Sequence, residues 1–310
     1  MELIRGFNGL SDRRRGSVLT IGTFDGLHLG HQALLSRLTA HGGRLKRAAM
    51  VLTFEPMPRE YLAAGAAGQE PARLTSFRER WRMFERLGVD ALWLLRFGEA
   101  LRNLSGEAFA RLLALELCTP VVVVGHDFRF GRNGEATAEG LCEAGARLGF
   151  EVDVVPPVTL DGQRVSSSAV RAALARGDFG QAGRWLGRPY AMTGRVASGN
   201  RLGRQLGFPT ANLRIERRRS PVEGIFAVRV HGIAAQALPA VASLGRRPTV
   251  AGRETLLEVH VFDFSADLYG RRIEVEFVAK LRDEQRFADL DSLVAQMHRD
   301  AQAARRILKV

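Results

Sequence analysis

Five short apolar runs recur through the first half of the chain, each followed by an amphipathic stretch, and that alternation leaves few folds open. The runs lie in SVLTIGTF (17–24), AAMVLTFEP (48–56), ALWLLRF (91–97), PVVVVGHDF (120–128) and FEVDVVPP (150–157). They are rich in Val, Leu, Ile and Phe and end in Gly, Pro or Asp, as buried strands do. Between them, RERWRMFERLG (78–88) sets Trp81, Phe84 and Leu87 near helical spacing, and SGEAFARLLALEL (105–117) opens a helix at Ser105 with Glu107 in its first turn. Repeated strand–helix alternation predicts a parallel sheet covered on both faces. Around residues 176–190 the period shifts toward two. AMTGRVASG, GIFAVRVHG, LPAVASLG, LLEVHVFDF and RRIEVEFVAK then read as strands joined by tight turns, which predicts a compact antiparallel β-barrel. The tail from Asp289 reads as one amphipathic helix that buries Leu293, Met297 and Ile307. The expected domains are therefore residues 1–185 and 186–310.

A chain of 310 residues with +12 formal charge suits two soluble domains and raises nucleic acid as a partner. Among its 45 basic residues only Lys46, Lys280 and Lys309 are lysines, a skew that resembles coding bias more than a selected basic surface. No long basic run is interleaved with aromatics, and RIERRRS (214–220) reads as a loop, so nucleic acid is not an expected partner. No stretch approaches the roughly 20 apolar residues that span a bilayer, so no membrane partner is expected. The N-terminus lacks the apolar core of a signal peptide. Two cysteines, Cys118 and Cys142, make no disulfide framework or metal spacing, which fits a reducing cytoplasm.

The stretch TIGTFDGLHLGHQALL (20–35) sits where the first of these strands meets a helix. At the carboxyl end of a parallel strand, a Gly-rich turn and a helix N-terminus suit an anion. Gly26 and Gly30 remove side chains that would block a phosphate, and His28 and His31 can face one side of the turn as donors to phosphate oxygens. No GK[ST] or GxGxxG follows. A metal site would need a further ligand, and two histidines satisfied at a helix start is the structural alternative. Downstream, RVSSSAVRAAL (164–174) opens another helix with three serines followed by Arg171. Hydroxyls, helix-start amides and a guanidinium fork again favour an anion, while an ordinary N-cap with an exposed arginine would look the same.

In the second half, GRVASGNRLGRQLGFPTANLRI (194–215) is dense in glycine and ends with Thr210 and Asn212 two residues apart. On extended backbone that spacing places both side chains on one face. Their oxygens suit Mg²⁺, which takes few protein ligands plus phosphates; a barrel turn is the plainer reading. Glu258 stands between Leu257 and Val259 in an apolar strand. It either points to solvent or serves as a base for an attacking hydroxyl.

GTFDGLHLGH together with SSSAVR resembles the HxGH-type nucleotidyltransferases. VLTFEPMPREYL (51–62), RLTSFRERWRMFERLGVDAL (73–92) and VVVVGHDFRFGRNG (121–134) narrow this to the prokaryotic bifunctional riboflavin kinase/FAD synthetase family. GFPTAN, SLGRRPTV (243–250), LLEVHVFDF…LYG and LRDEQRF resemble its kinase module, in order. The resemblance implies a Rossmann-like α/β nucleotidyltransferase domain followed by an antiparallel β-barrel kinase domain with a terminal helix. It implies ATP-dependent phosphorylation of riboflavin to FMN, then transfer of AMP from ATP to FMN, giving FAD and pyrophosphate. By it, His28 and His31 hold the ATP phosphates and the transition state, with Gly22, Phe24, Asp25 and Gly30 shaping the nucleotide pocket. Ser167, Ser168 and Arg171 grip the triphosphate, and Asp127 lies near metal or flavin. In the kinase module Thr210 and Asn212 bind Mg-ATP, and Glu258 is the base on the ribityl 5′-hydroxyl. Three departures are Ser168 where relatives often have Thr, Ser198 where a His is frequent, and Arg246 where a Thr is frequent.

Overall fold

A computed structural model describes residues 1–7, 14–63, 70–197, 207–217, 219–249 and 252–310. The chain divides into two compact units, Met1–Pro71 with Arg80–Val165, and Ala72–Glu79 with Ser166–Val310. Against the expected division at 185/186, the stretch 166–185 and the short segment 72–79 are grouped with the barrel.

The first unit is built on a six-stranded sheet of order β1-β4-β3-β2-β5-β8. Its strands are β1 (Glu2–Arg5), β2 (Val18–Ile21), β3 (Ala49–Phe54), β4 (Ala91–Leu95), β5 (Val121–Gly125) and β8 (Glu151–Val155), all paired in parallel. Five of these are the apolar runs read from the sequence; β1, four residues at the chain start, is an addition to them. Two-residue ribbons pair β6 (Arg129–Phe130) with β7 (Ala136–Thr137) and β9 (Thr159–Leu160) with β10 (Gln163–Arg164).

Both faces of the sheet are buried. Leu19, Met50, Trp93 and Val122 pack with Phe109 of α5 (Gly106–Arg111) and Leu141 of α6 (Ala138–Leu148). The alternate positions Val18, Thr20, Val51 and Val123 are buried on the side where α1 (Leu29–Leu45) lies over β2, β3 and β5. α2 (Pro58–Leu62), α3 (Phe77–Arg86) and α4 (Glu99–Arg102) complete the unit, the first three residues of α3 being grouped with the second. The stretch from Ser105 is helical as expected, but α5 passes at Leu112–Glu116 into a π turn. Strand order reverses between β2 and β5, so the crevice at their carboxyl ends is where ligands bind in such sheets.

α1 is tied to the edge strand at its far end. Arg37 donates two bonds of 2.8 and 2.9 Å to Asp153, and His41 Nε2 lies 2.8 Å from the same carboxylate. The bonds from Arg37 hold the Asp153 pKa below its ordinary value, partial burial opposing them and the His41 bond adding to them.

In the second unit α7 (Ser167–Ala175) and α8 (Phe179–Leu186) precede a closed barrel of order β11-β12-β15-β14-β13-β16. The strands are β11 (Ala191–Ala197), β12 (Ala211–Arg214), β13 (Gly224–His231), β14 (Leu238–Thr249), β15 (Gly252–Val261) and β16 (Arg272–Arg282), each pair antiparallel. β12 is the strand that the periodicity did not reveal, four residues hidden behind a glycine-rich stretch. Alternate residues such as Met192, Leu213, Phe226, Leu244, Leu257 and Val275 are fully buried. Closure leaves no sheet edge exposed.

The terminal helix α9 (Leu290–Leu308) begins where expected, with Asp289 accepting from the Ser292 amide at 2.7 Å. Its buried residues are Asp300, Ala304 and Leu308, and Leu293 and Met297 are half-buried. Ile307, expected inside, is 42% exposed. It precedes Leu308 by one residue, about 100° around the helix, and falls off the packed stripe. Asp300 takes three bonds of 2.7–3.1 Å from Arg282, which ties α9 to β16.

The segment 72–79 joins this unit through buried charge. Arg217, whose side chain is fully buried, pairs with Glu79 at 2.5 Å and donates to the carbonyls of Arg73 and Leu74. Glu79 also accepts from the Thr193 amide at 2.7 Å. Arg217 is thus no solvated member of a basic loop.

Two outcomes follow. Glu79→Ala removes the carboxylate bonded to the buried Arg217 and lowers stability in urea unfolding by about 3–5 kcal/mol; an unchanged midpoint contradicts the buried pair. Because the Asp153 pKa is depressed on folding, its contribution is complete above the unfolded value of about 3.9 and is lost as pH falls through the lower folded value. Asp153→Asn therefore flattens the loss of stability below about pH 4 in acid titrations followed by circular dichroism.

Candidate functional site

The passage from β2 to α1 is unusually shaped. Phe24 (φ 50°), Gly26 (φ 86°) and Leu27 (φ 42°) all take left-handed backbone, yet Phe24 and Leu27 are buried. A left-handed non-glycine residue costs on the order of 1–3 kcal/mol and persists only where its surroundings hold it. His28 caps α1: its Nδ1 accepts the backbone N–H of His31 at 3.3 Å. The two imidazoles stack with centroids 3.8 Å apart and planes 18° from parallel. A backbone amide can only donate, so the Nδ1 of His28 is the acceptor and its Nε2 carries the proton. His31 also faces the Phe24 ring, 5.2 Å between centroids.

Two of the glycines have a local task as well. A Cβ on Gly30 would lie 3.1 Å from the His28 ring, and one on Gly22 3.1 Å from the Phe24 ring. Both clear space for this loop's own rings. Asp25, between them, is buried.

Across the switch point, β5 ends at Gly125 and leads to Asp127. Its carboxylate pairs with Arg164 of β10 at 2.5 Å, and His126 Nδ1 lies 4.0 Å away. Asp127 remains exposed.

The serine motif forms the start of α7, as expected. Ser166 is the N-cap, its hydroxyl accepting from the Ala169 amide at 3.2 Å, and Ser167 and Ser168 occupy the first turn. Arg171, one turn on, donates its Nε to the Ala72 carbonyl at 2.6 Å. These residues are grouped with the second unit.

In the barrel, Asn212 on β12 and Ser243 on β14 are the direct cross-strand partners of Glu258 on β15. Direct partners present side chains to the same face, a few ångströms apart. Because Leu257 and Val259 fill the barrel interior, Glu258 projects from the outside of the wall. It is not simply solvated there. Glu258 and Thr210 line a cavity of about 710 Å³ that Leu293 and Met297 of α9 help to close. Thr210 also lines a second cavity, of about 340 Å³, with Pro209, Val259 and Tyr269. Thr210, Asn212 and Glu258 thus belong to one region where two small-molecule-sized cavities adjoin. His260, two residues beyond Glu258, lines the larger cavity and is fixed by the Pro209 carbonyl at 2.9 Å. Sequence reading passed over it, although its spacing of two from Glu258 puts it on the same face.

Thr210 and Asn212 fit a magnesium ion completed by nucleotide phosphates: both offer neutral oxygen donors beside a carboxylate. Among the described residues no cluster of three His, Cys, Asp or Glu forms a metal cage. Ser198 lies outside the described residues, as does the Arg246 side chain.

With that geometry in hand, comparison with known proteins is specific. The FAD synthetase family matches residues 10–169 and the riboflavin kinase family residues 186–308. A bifunctional riboflavin kinase/FMN adenylyltransferase from Escherichia coli K12 is 46% identical over 307 residues, covering 98% of this chain and 97% of its own. One of the same description from Haemophilus influenzae is 40% identical, covering 98% of each chain. A crystal structure described as a macrolide-efflux protein from Streptococcus pneumoniae is 32% identical with a TM-score of 0.80, covering 98% of this chain and 99% of that one. No described helix is long and apolar enough to cross a membrane.

The capping geometry has a direct readout. In ¹⁵N NMR at neutral pH, His28 should show an unprotonated Nδ1 and a protonated Nε2; a protonated Nδ1 contradicts the cap.

Proposed function

Since the chain belongs to the bifunctional riboflavin kinase/FMN adenylyltransferase family, we propose which of its groups carry each of the two reactions. It phosphorylates riboflavin to FMN with ATP, and it adenylylates FMN with a second ATP to give FAD and pyrophosphate.

The adenylyl transfer falls to residues 1–185. An FMN phosphate oxygen attacks the α-phosphorus of ATP, the new P–O bond forms, and the bond to pyrophosphate breaks. Charge builds on the α-phosphate and the leaving pyrophosphate, so preorganised donors supply most of the help. His28 and His31 are those donors. The observation that carries this reading is the stacked pair on the first turn of α1, at the switch point of the sheet. Because the Nδ1 of His28 is spent on the cap, its Nε2–H is the group for phosphate, and the helix N-terminus adds partial positive charge. Gly22, Phe24, Asp25 and Gly30 shape the nucleotide pocket by holding this loop. Ser167, Ser168 and Arg171 grip the triphosphate. Asp127, held by Arg164, stands near the flavin or a metal.

The kinase reaction falls to residues 186–310. Glu258 accepts the proton of the ribityl 5′-hydroxyl as that oxygen attacks the γ-phosphorus and ADP leaves. Thr210 and Asn212 hold Mg²⁺ with the ATP phosphates; the ion, when bound, neutralises phosphate charge. Support comes from Asn212 lying directly across from Glu258 and from Thr210 lining both cavities. We place the enzyme in the cytoplasm, where its two free cysteines stay reduced.

Variants separate the two activities. His31→Ala abolishes FAD formation and leaves FMN formation largely intact, whereas Glu258→Ala does the reverse when FMN is supplied. Loss of both activities by either folded variant contradicts the division. Arg171→Ala lowers FAD formation and spares FMN formation; the opposite pattern would assign α7 to the kinase.

A further inference from the structure

We propose that Arg80 is a positioning residue for adenylyl transfer, acting through the Thr23 carbonyl and Phe24 on the His28–His31 pair. This rests on the assignment of those histidines above. The Arg80 side chain is 1% exposed. A buried cation is retained only where paired groups offset its lost hydration. Its partners are specific. One terminal nitrogen donates to the Thr23 carbonyl at 2.8 Å and reaches Thr53 Oγ1 at 3.4 Å; the other bonds the Glu55 carboxylate at 2.9 Å. Thr23 lies just beyond β2, and Glu55 just beyond β3. A single planar guanidinium therefore joins the carboxyl ends of two neighbouring strands, which the point charge of lysine does less well.

The second contact comes one turn along α3. Phe84 meets the Phe24 ring edge-on, with centroids 5.5 Å apart and planes at 84°. Positions 80 and 84 share a helix face. One face of α3 thus fixes both the carbonyl that precedes Phe24 and the ring of Phe24. That ring in turn flanks His31 at 5.2 Å. Between this clamp and the His28 cap run the left-handed residues Phe24, Gly26 and Leu27, a conformation that needs external support. Arg80 touches no proposed substrate position. Its effect is on the aim of the two imidazoles, and transition-state donors lose effect steeply when misplaced.

The test uses the full-length chain with Arg80→Met and Arg80→Lys, and His31→Ala in parallel. For FAD formation from FMN, Arg80→Met should lower kcat on the order of 100-fold while KM for ATP moves far less. Arg80→Lys should fall between Arg80→Met and the parent. FMN formation by the same preparations should be unchanged. A parent-like kcat in Arg80→Met, or a loss carried by KM alone, overturns the proposal. Should Arg80→Met fail to fold by near-ultraviolet circular dichroism, Arg80→Lys decides. A reduced kcat at parental KM supports the proposal, and a parental kcat overturns it. If His31→Ala itself keeps parental FAD formation, the histidine assignment falls and this inference with it. If only the Arg80 variants are parent-like, the assignment stands and the inference alone fails.

Discussion

A chain entering α1 from β2 must turn within the passage Gly22–Leu27 and still deliver an imidazole to the helix's first amides. Three left-handed residues make that turn, two of them buried and bulky. Their strain is tolerated because the loop is gripped from several directions: Arg80 on the Thr23 carbonyl, Phe84 on the Phe24 ring, and His28 on the His31 amide. On the proposed reading, the cap divides His28 between two duties. One ring nitrogen is committed to the helix, so the other is oriented before any ligand arrives. Preorganisation of this kind lets a donor stabilise developing charge without reorganising during the reaction.

The barrel meets a different requirement. On the proposed reading, the base must sit beside apolar surface for a flavin and polar oxygens for a nucleotide, which the buried side chains inside the barrel do not offer. The outer wall does. Glu258, Asn212 and Ser243 form a row across three strands, and α9 supplies the apolar cover through Leu293 and Met297. The Arg282–Asp300 pair holds that helix against β16. A helix that looks in sequence like a terminal embellishment is thus part of the cavity wall.

Much of this fold is legible in the sequence. Alternating apolar runs predicted the parallel sheet, and the change of period predicted the barrel, because both signals come from side-chain burial that repeats along the chain. The strands that the sequence does not reveal are short. β1 and β12 have four residues each and β6, β7, β9 and β10 two; β2, also four residues long, is legible because it lies in a longer apolar run. The buried ion pair of Arg217 with Glu79 was invisible because its partners lie 138 positions apart. Nothing local in the sequence distinguishes that arginine from Arg214, Arg218 or Arg219. Beside the room for phosphate that the sequence suggests for Gly26 and Gly30, Gly22 and Gly30 also clear space for the Phe24 and His28 rings. Their task depends on φ angles and ring positions that no spacing encodes. The sequence alone leaves Glu258 between solvent and chemistry, since alternation gives its face but not what covers that face.

Two chemistries carried by separate sets of residues, linked only by their common intermediate, is the central claim, and complementation tests it most directly. His31→Ala and Glu258→Ala chains are mixed in one tube with riboflavin, ATP and Mg²⁺, and the flavins are separated by chromatography. Alone, the first should stop at FMN and the second should leave riboflavin unchanged. Together they should produce FAD, because FMN released by one chain is adenylylated by the other. A mixture of folded variants that yields no FAD, even when FMN is added, would contradict the account.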